Sequence, residues 1–159
     1  MIVKDIIYED FVNYKKPSMF IIFPKCNFKC DREARTVVCQ NGKLVSEPNF
    51  RISMFTIREK YLNNSITSAI VMGGLEPFDS PNELSILIGV LRDKTKDDIV
   101  IYTGYTKEEI KETKAYKEIL QYPNIIIKFG RFIPNQKSHY DEVLGIELAS
   151  DNQYAEKIT

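Results

Sequence analysis

Four short apolar runs, each followed by a glycine turn or a cysteine-bearing segment, constrain this chain of 159 residues more than anything else in it. They are Ser18 to Phe23, Ser65 to Met72, Asp98 to Thr103 and Asn124 to Phe129. Each is bounded by turn residues and reads as a buried strand. Segments of helical period lie between them. Ser53 can cap a helix running to about Leu62. Ser80-Pro81-Asn82-Glu83 has capping-box spacing with proline at the first helical position. Leu84, Leu87, Ile88 and Leu91 then form the apolar stripe of a helix lying on a sheet. Thr106 with Glu109 is a second capping box, opening a helix to about Leu120. Strands alternating with helices imply right-handed crossovers and an α/β fold with a mostly parallel sheet of βα repeats. Residues 131–159 carry little periodicity and are expected to form a loop-rich closing segment, with one short strand near Val143 to Leu148. The length suits one domain spanning residues 1–159.

All three cysteines fall in the loop after the first run, residues 24–48, as Cys26, Cys30 and Cys39. Thiols serving as small core hydrophobes would be scattered, whereas thiols gathered into one loop read as a metal or cluster site. Three thiolates are one short of a closed zinc site or a fully cysteine-ligated [4Fe–4S] cluster. A cluster held by three cysteines keeps one iron free for a substrate or cofactor. The zinc alternative needs a fourth ligand. His139 is the only histidine, and its polar surroundings read more simply as a solvated loop. In a parallel sheet all strand ends of one sense share an edge. The cysteine loop, Gly73-Gly74, Thr103-Gly104 and Gly130 are therefore expected to converge on one site.

Composition narrows the function classes. Basic and acidic residues balance at 22 each, so no bulk field attracts a polyanion, and nucleic acid is not an expected partner. No run approaches the roughly 18 apolar residues of a membrane span, and the first residues lack the pattern of a signal peptide. An odd, clustered cysteine count argues against a secreted disulfide framework. The expected setting is the cytoplasm, with no membrane partner.

The second chemical motif is Met72-Gly73-Gly74-Leu75-Glu76-Pro77-Phe78 at a strand end. Paired glycines allow positive φ and close backbone approach, and a neighbouring carboxylate can accept hydrogen bonds from an ammonium group. Taken with the cysteine loop, this segment resembles the radical S-adenosylmethionine (SAM) family. In that family three cysteines after the first strand hold a [4Fe–4S] cluster, and a Gly-Gly-Glu-Pro-like segment after the second binds the SAM amino group. Gly73, Gly74, Glu76 and Pro77 match it with Leu75 inserted.

Within the family the chain looks most like the activating enzymes of glycyl-radical enzymes, in particular of anaerobic ribonucleotide reductase. Cys26-Asn27-Phe28-Lys29-Cys30 resembles their first cysteine pair, and Cys39-Gln40-Asn41 the end of their cluster loop. Ile101-Tyr102-Thr103-Gly104 and Gly130-Arg131-Phe132-Ile133 are similar to their third and fourth strand ends. Ser150-Asp151-Asn152-Gln153 is similar to their C-terminal signature. The resemblance implies an incomplete radical SAM barrel, with Cys26, Cys30 and Cys39 on the cluster. It also implies that Gly73, Gly74, Glu76, Pro77, Thr103, Gly104, Phe28 and Asn41 surround SAM. An external electron donor such as a flavodoxin would reduce the cluster. Cleavage of SAM would give a 5′-deoxyadenosyl radical, and a glycine of the partner enzyme would lose its Cα hydrogen. The same build could act on another protein or peptide, and a non-catalytic zinc or iron–sulfur adaptor is the alternative from another class.

The departure from the family lies between Cys30 and Cys39. The family leaves two residues in that gap, with an aromatic before the last cysteine. Here residues 31–38 intervene, and Val38 holds the aromatic's place. Loop-closure entropy grows by only about 0.6 kcal/mol per doubling of length, so the insert does not preclude a cluster. It reads equally as a contact surface or a tolerated insertion.

Overall fold

The four apolar runs become the four parallel strands at the centre of one sheet. In the computed structural model, which describes residues 1–159, the chain begins with β1 (Ile2–Val3), β2 (Asp5–Asp10), β3 (Ser18–Phe23) and α1 (Lys29–Ala34). It continues through β4 (Phe50–Arg51), α2 (Met54–Leu62), β5 (Ala69–Gly74), α3 (Pro81–Arg92) and β6 (Asp98–Tyr102). Then come α4 (Lys107–Ile110), α5 (Lys114–Ile119), β7 (Ile125–Phe129), β8 (His139–Asp141), β9 (Ile146–Leu148) and β10 (Tyr154–Lys157). The main sheet has the order β10-β7-β6-β5-β3-β2. Its inner four strands are parallel, while β2 and β10 run antiparallel at the edges. The protein is thus α/β with a mostly parallel central sheet.

Strand periodicity sorts the side chains into two cores. Met19, Ile21, Phe23, Ile70, Met72, Ile99, Ile101, Ile125, Ile127 and Phe129 pack with residues of α2, α3, α4 and α5. All four helices therefore cover one face, as expected when consecutive crossovers share one hand. Val71, Val100 and Ile126 face the other way, with Phe20 and Tyr102 packed beside them, and meet Leu144 and Leu148 from the C-terminal segment. The layer nearest the site on this second face comprises Ile22 opposite Gly73, and Tyr102 opposite Lys128. No helix is long and apolar enough to cross a membrane.

Several elements differ from expectation. The segment after Gly130 is more ordered than its sequence suggests. β9 is the one short strand expected near Val143 to Leu148, but β8 pairs with it as an antiparallel hairpin, and β10 extends the main sheet through backbone pairing with β7. β2 likewise adds an unexpected edge strand against β3. The helix expected from Thr106 to Leu120 is two helices, because Thr113 recaps the chain by accepting from the Tyr116 N–H. The Thr106–Glu109 capping box forms with both of its reciprocal bonds. Ser80 and Ser53 precede their helices without making a side-chain cap bond. Gly73 and Gly74 belong to the end of β5 rather than to a turn beyond it.

Candidate metal centre

Because β3, β5, β6 and β7 run in one direction, the segments that follow them meet at one edge. There they enclose a cleft of about 560 Å³, lined by Cys26, Cys30 and Cys39 together with Gly74, Glu76, Thr103, Gly104 and Gly130. The expected convergence of four strand ends is present. Each cysteine is unpaired and half-buried.

The cysteine loop is fastened to its neighbours along its length. The Glu76 N–H donates to the Lys25 carbonyl at 2.7 Å, prolonging the β3–β5 pairing past the strand ends. Asp79, in the 3-10 turn Pro77–Asp79, accepts the Asn27 backbone N–H at 2.7 Å and its side-chain amide at 3.2 Å. The Tyr105 hydroxyl donates to the same carboxylate at 2.7 Å and is itself contacted by the Asn27 amide. Phe28 adopts a left-handed conformation at the start of α1, and its N–H points to Cys26 Sγ at 3.3 Å. Farther along, the Asn41 side chain donates to the Gly74 carbonyl at 2.8 Å. The insert folds back on itself: α1 occupies its first half, and the N–H groups of Val38 and Cys39 both donate to Asp31 Oδ1 at 2.8 Å. Cys39 thereby returns to the neighbourhood of Cys30. Across the mouth, Glu109 accepts from Arg131 and Lys29, which also face Glu33 of α1.

Burial raises the Cys26 thiol to about 11, reinforced by the charges of Glu76 and Asp79. Burial also raises Cys30 to about 11, with Cys39 and Asp31 adding to the effect. Without metal these are thiols at neutral pH, so metal loading would release protons. Glu76 is pushed up to about 7 by burial, although Phe78 N–H, Thr103 Oγ1 and Gly104 N–H donate to it at 3.0, 2.8 and 2.8 Å. Burial lowers Lys128 to about 8, and its ammonium donates to the Gly130 carbonyl at 2.7 Å. Glu109 stands at about 2, where the hydrogen bonds from Arg131 and Lys29 outweigh its burial.

The donor set discriminates between metal groups. A single zinc ion needs four ligands about 2.0–2.3 Å from one point. No group of three or more His, Cys, Asp or Glu side chains is placed to hold such an ion. Iron–sulfur clusters instead take their cysteines on separate irons. Three thiols on one cleft, with the lone histidine elsewhere, match a cluster that leaves one iron open and are one ligand short of a closed zinc site. His139 sits in β8, half-buried with its Nδ1 unpartnered, and does not line the cleft. It is neither the solvated loop residue that its surroundings suggested nor a member of the thiol site.

The remaining expected residues divide into two groups. Asn41, Gly74, Glu76, Thr103 and Gly104 line the cleft; Gly73, Pro77 and Phe28 do not. A Cβ on Gly73 would meet Tyr102 Cβ at 3.0 Å and the Phe20 ring at 3.2 Å, so its glycine serves packing within the sheet. Pro77 is buried at the start of its 3-10 turn. Gln153, from the C-terminal segment similar to the family's signature, is buried and lines the cleft. Its side-chain Oε1 accepts the Ala149 and Ser150 N–H groups, and its Nε2 donates to the Gly130 carbonyl. Sequence reasoning missed Lys128, Tyr105 and Asp79. Lys128 left a signal, a single charge on the second-face parity of the run Ile125-Ile126-Ile127-Lys128-Phe129. Asp79 left none, since its partners are distant in sequence.

A family model described as a 4Fe-4S single cluster domain matches residues 18–154. No curated protein and no solved structure matches the chain.

Proposed function

The chain belongs to the 4Fe-4S single cluster domain family, and from that premise we propose that it is a radical SAM enzyme of the glycyl-radical-enzyme activating type. The observation that carries the reading is the placement of Cys26, Cys30 and Cys39 on the same cleft as Gly74, Glu76 and Gly104. In this reading the three thiolates hold the cluster, and Gly74, Glu76, Asn41, Thr103 and Gly104 face bound SAM. A cluster held there would supply one electron for reductive cleavage of the SAM sulfonium, the chemistry that would yield methionine and a 5′-deoxyadenosyl radical able to take a glycine Cα hydrogen.

The chain's own side chains bind, orient and exclude water, consistent with cofactor-borne chemistry. Glu76 ties the end of β5 to the end of β6 through Thr103 and Gly104, fixing the spacing between two walls of the cleft. Asn41 ties the loop beyond Cys39 to the Gly74 carbonyl. Leu75, Leu44 and Phe132 contribute apolar surface to the lining of the cleft. The sheet is read as the arc of an incomplete barrel, and the mouth of the cleft at its strand ends would admit a glycine loop of a large partner. Anaerobic ribonucleotide reductase is the partner class that the sequence resemblance favours, and a flavodoxin-like protein the electron donor.

The test is anaerobic incubation of the iron- and sulfide-reconstituted protein with dithionite and SAM, with 5′-deoxyadenosine and methionine quantified. Equimolar formation of both, absent in Cys39→Ser, supports the enzyme. A fully loaded cluster that leaves SAM intact contradicts it, and bound zinc without sulfide would instead support the adaptor reading.

A further inference from the structure

Asp31 holds the returning limb of the insert at four points. Its backbone carbonyl accepts from the N–H groups of Arg35 and Thr36, the latter at 3.3 Å. Its side-chain Oδ1 accepts from Val38 and Cys39, both at 2.8 Å. Arg35 turns the chain through a left-handed conformation at φ 55°, which brings those donors back onto Asp31. The Cys30 thiol faces the same oxygen at 3.8 Å. Lys29, Glu33 and Arg131 all take part in salt bridges at this mouth, yet no salt bridge includes Asp31.

We propose that Asp31 is the positioning residue of the cysteine loop: it clasps the insert so that Cys39 is presented beside Cys30 despite the eight intervening residues. Two consequences follow from the chemistry. Without the carboxylate, Val38 and Cys39 lose their anchor and only the backbone bonds to Asp31 and the Asn41 tie beyond Cys39 remain, so the Cys39 thiolate would be recruited less often. The carboxylate also occupies the Val38 and Cys39 N–H groups and carries an unpaired negative charge next to two ligands. Net charge and hydrogen bonding to sulfur both set cluster potentials, so Asp31 would hold the potential down. The inference rests on the reading above that these thiols carry a cluster.

The experiment compares wild type, Asp31→Ala, Asp31→Asn and a shortened chain lacking residues 32–37, in which Asp31 and Val38 alone separate Cys30 from Cys39. Iron and sulfide content, EPR and midpoint potential are measured on the reconstituted full chain, with far-UV circular dichroism as the check on folding. Asp31→Ala is expected to lose at least half of the bound iron. Asp31→Asn keeps an acceptor oxygen, so it should retain the cluster while its midpoint potential shifts positive. In the shortened chain Asp31→Ala should load as fully as its parent, because no insert remains to be clasped. Equal loading of wild type and Asp31→Ala would overturn the clasp, as would an equal loss from Asp31→Ala in the long and short chains. A wild type that takes up no cluster would overturn the reading beneath it instead.

Discussion

Replacing Gly74 by alanine tests the close β3–β5 approach at the strand ends that form one wall of the cleft. Gly74 has φ +82°, in the left-handed region. An L-residue there costs about 1–2 kcal/mol. The added Cβ would stand 2.4 Å from Ile22 Cγ2, 3.2 Å from its Cβ and 3.4 Å from its Cα. The obstruction is thus the root of a side chain on a central strand rather than a flexible tip, and relief requires β3 or β5 to move. Overpacking of that kind costs about 1–3 kcal/mol. The stiffer unfolded chain returns about 0.4–1 kcal/mol. The expected net loss is about 2–4 kcal/mol, measured by urea unfolding followed by far-UV circular dichroism. Gly42→Ala is the control, since a Cβ there would meet nothing within 4 Å. Ile22→Ala, at a buried position, should cost about 2–5 kcal/mol alone. The double variant should fall short of the summed losses by about 1–3 kcal/mol, because the closest contact is gone. A Gly74→Ala loss below about 0.5 kcal/mol, the ordinary range of surface changes, would refute the argument, and strict additivity would refute its steric part.

Lys128 and the thiols carry the other predictions. Burial depresses Lys128 from 10.5 to about 8, so between those values the unfolded chain binds more protons than the folded one, and stability rises with pH through that window. At about 1.4 kcal/mol per pKa unit the burial costs about 3 kcal/mol at neutral pH. Lys128→Met should therefore be more stable than wild type at pH 7 by about 2 kcal/mol, after loss of one hydrogen bond worth about 1 kcal/mol. By pH 10 that advantage should largely vanish, and urea titrations at the two pH values read it directly. Cys26→Ser, Cys30→Ser and Cys39→Ser should each lower reconstituted iron and sulfide while leaving the unfolding midpoint of the metal-free protein unchanged. His139→Ala should leave the metal content at the wild-type level.

What the sequence disclosed follows from which interactions are local. β3, β6, β7 and α3 were legible because uniform apolar runs and an i, i+3, i+4 stripe are properties of a few consecutive residues. The Thr106–Glu109 box was legible for the same reason. β10 was not: Tyr154-Ala155-Glu156-Lys157 has no apolar run, and it is a strand because its backbone groups pair with β7 across 25 or more residues of chain. The break between α4 and α5 depends on a Thr113 hydroxyl competing with helix continuation, a contest that periodicity does not reveal. At the site, the clustering of cysteines and the strand-end glycines pointed to the one edge of the sheet where these segments meet. The inward use of Glu76, the Asp79–Asn27–Tyr105 contacts and the clasp at Asp31 required the tertiary arrangement. Each joins residues whose spacing in the chain carries no pattern.

The central claim is that the three thiols hold a cluster with one iron open to SAM. EPR of the anaerobically reconstituted and reduced protein, recorded with and without SAM, tests it most directly. The account predicts a [4Fe–4S]⁺ signal whose line shape changes when SAM is added. A reduced cluster with a spectrum indifferent to SAM, or a protein that takes up no cluster, would contradict it.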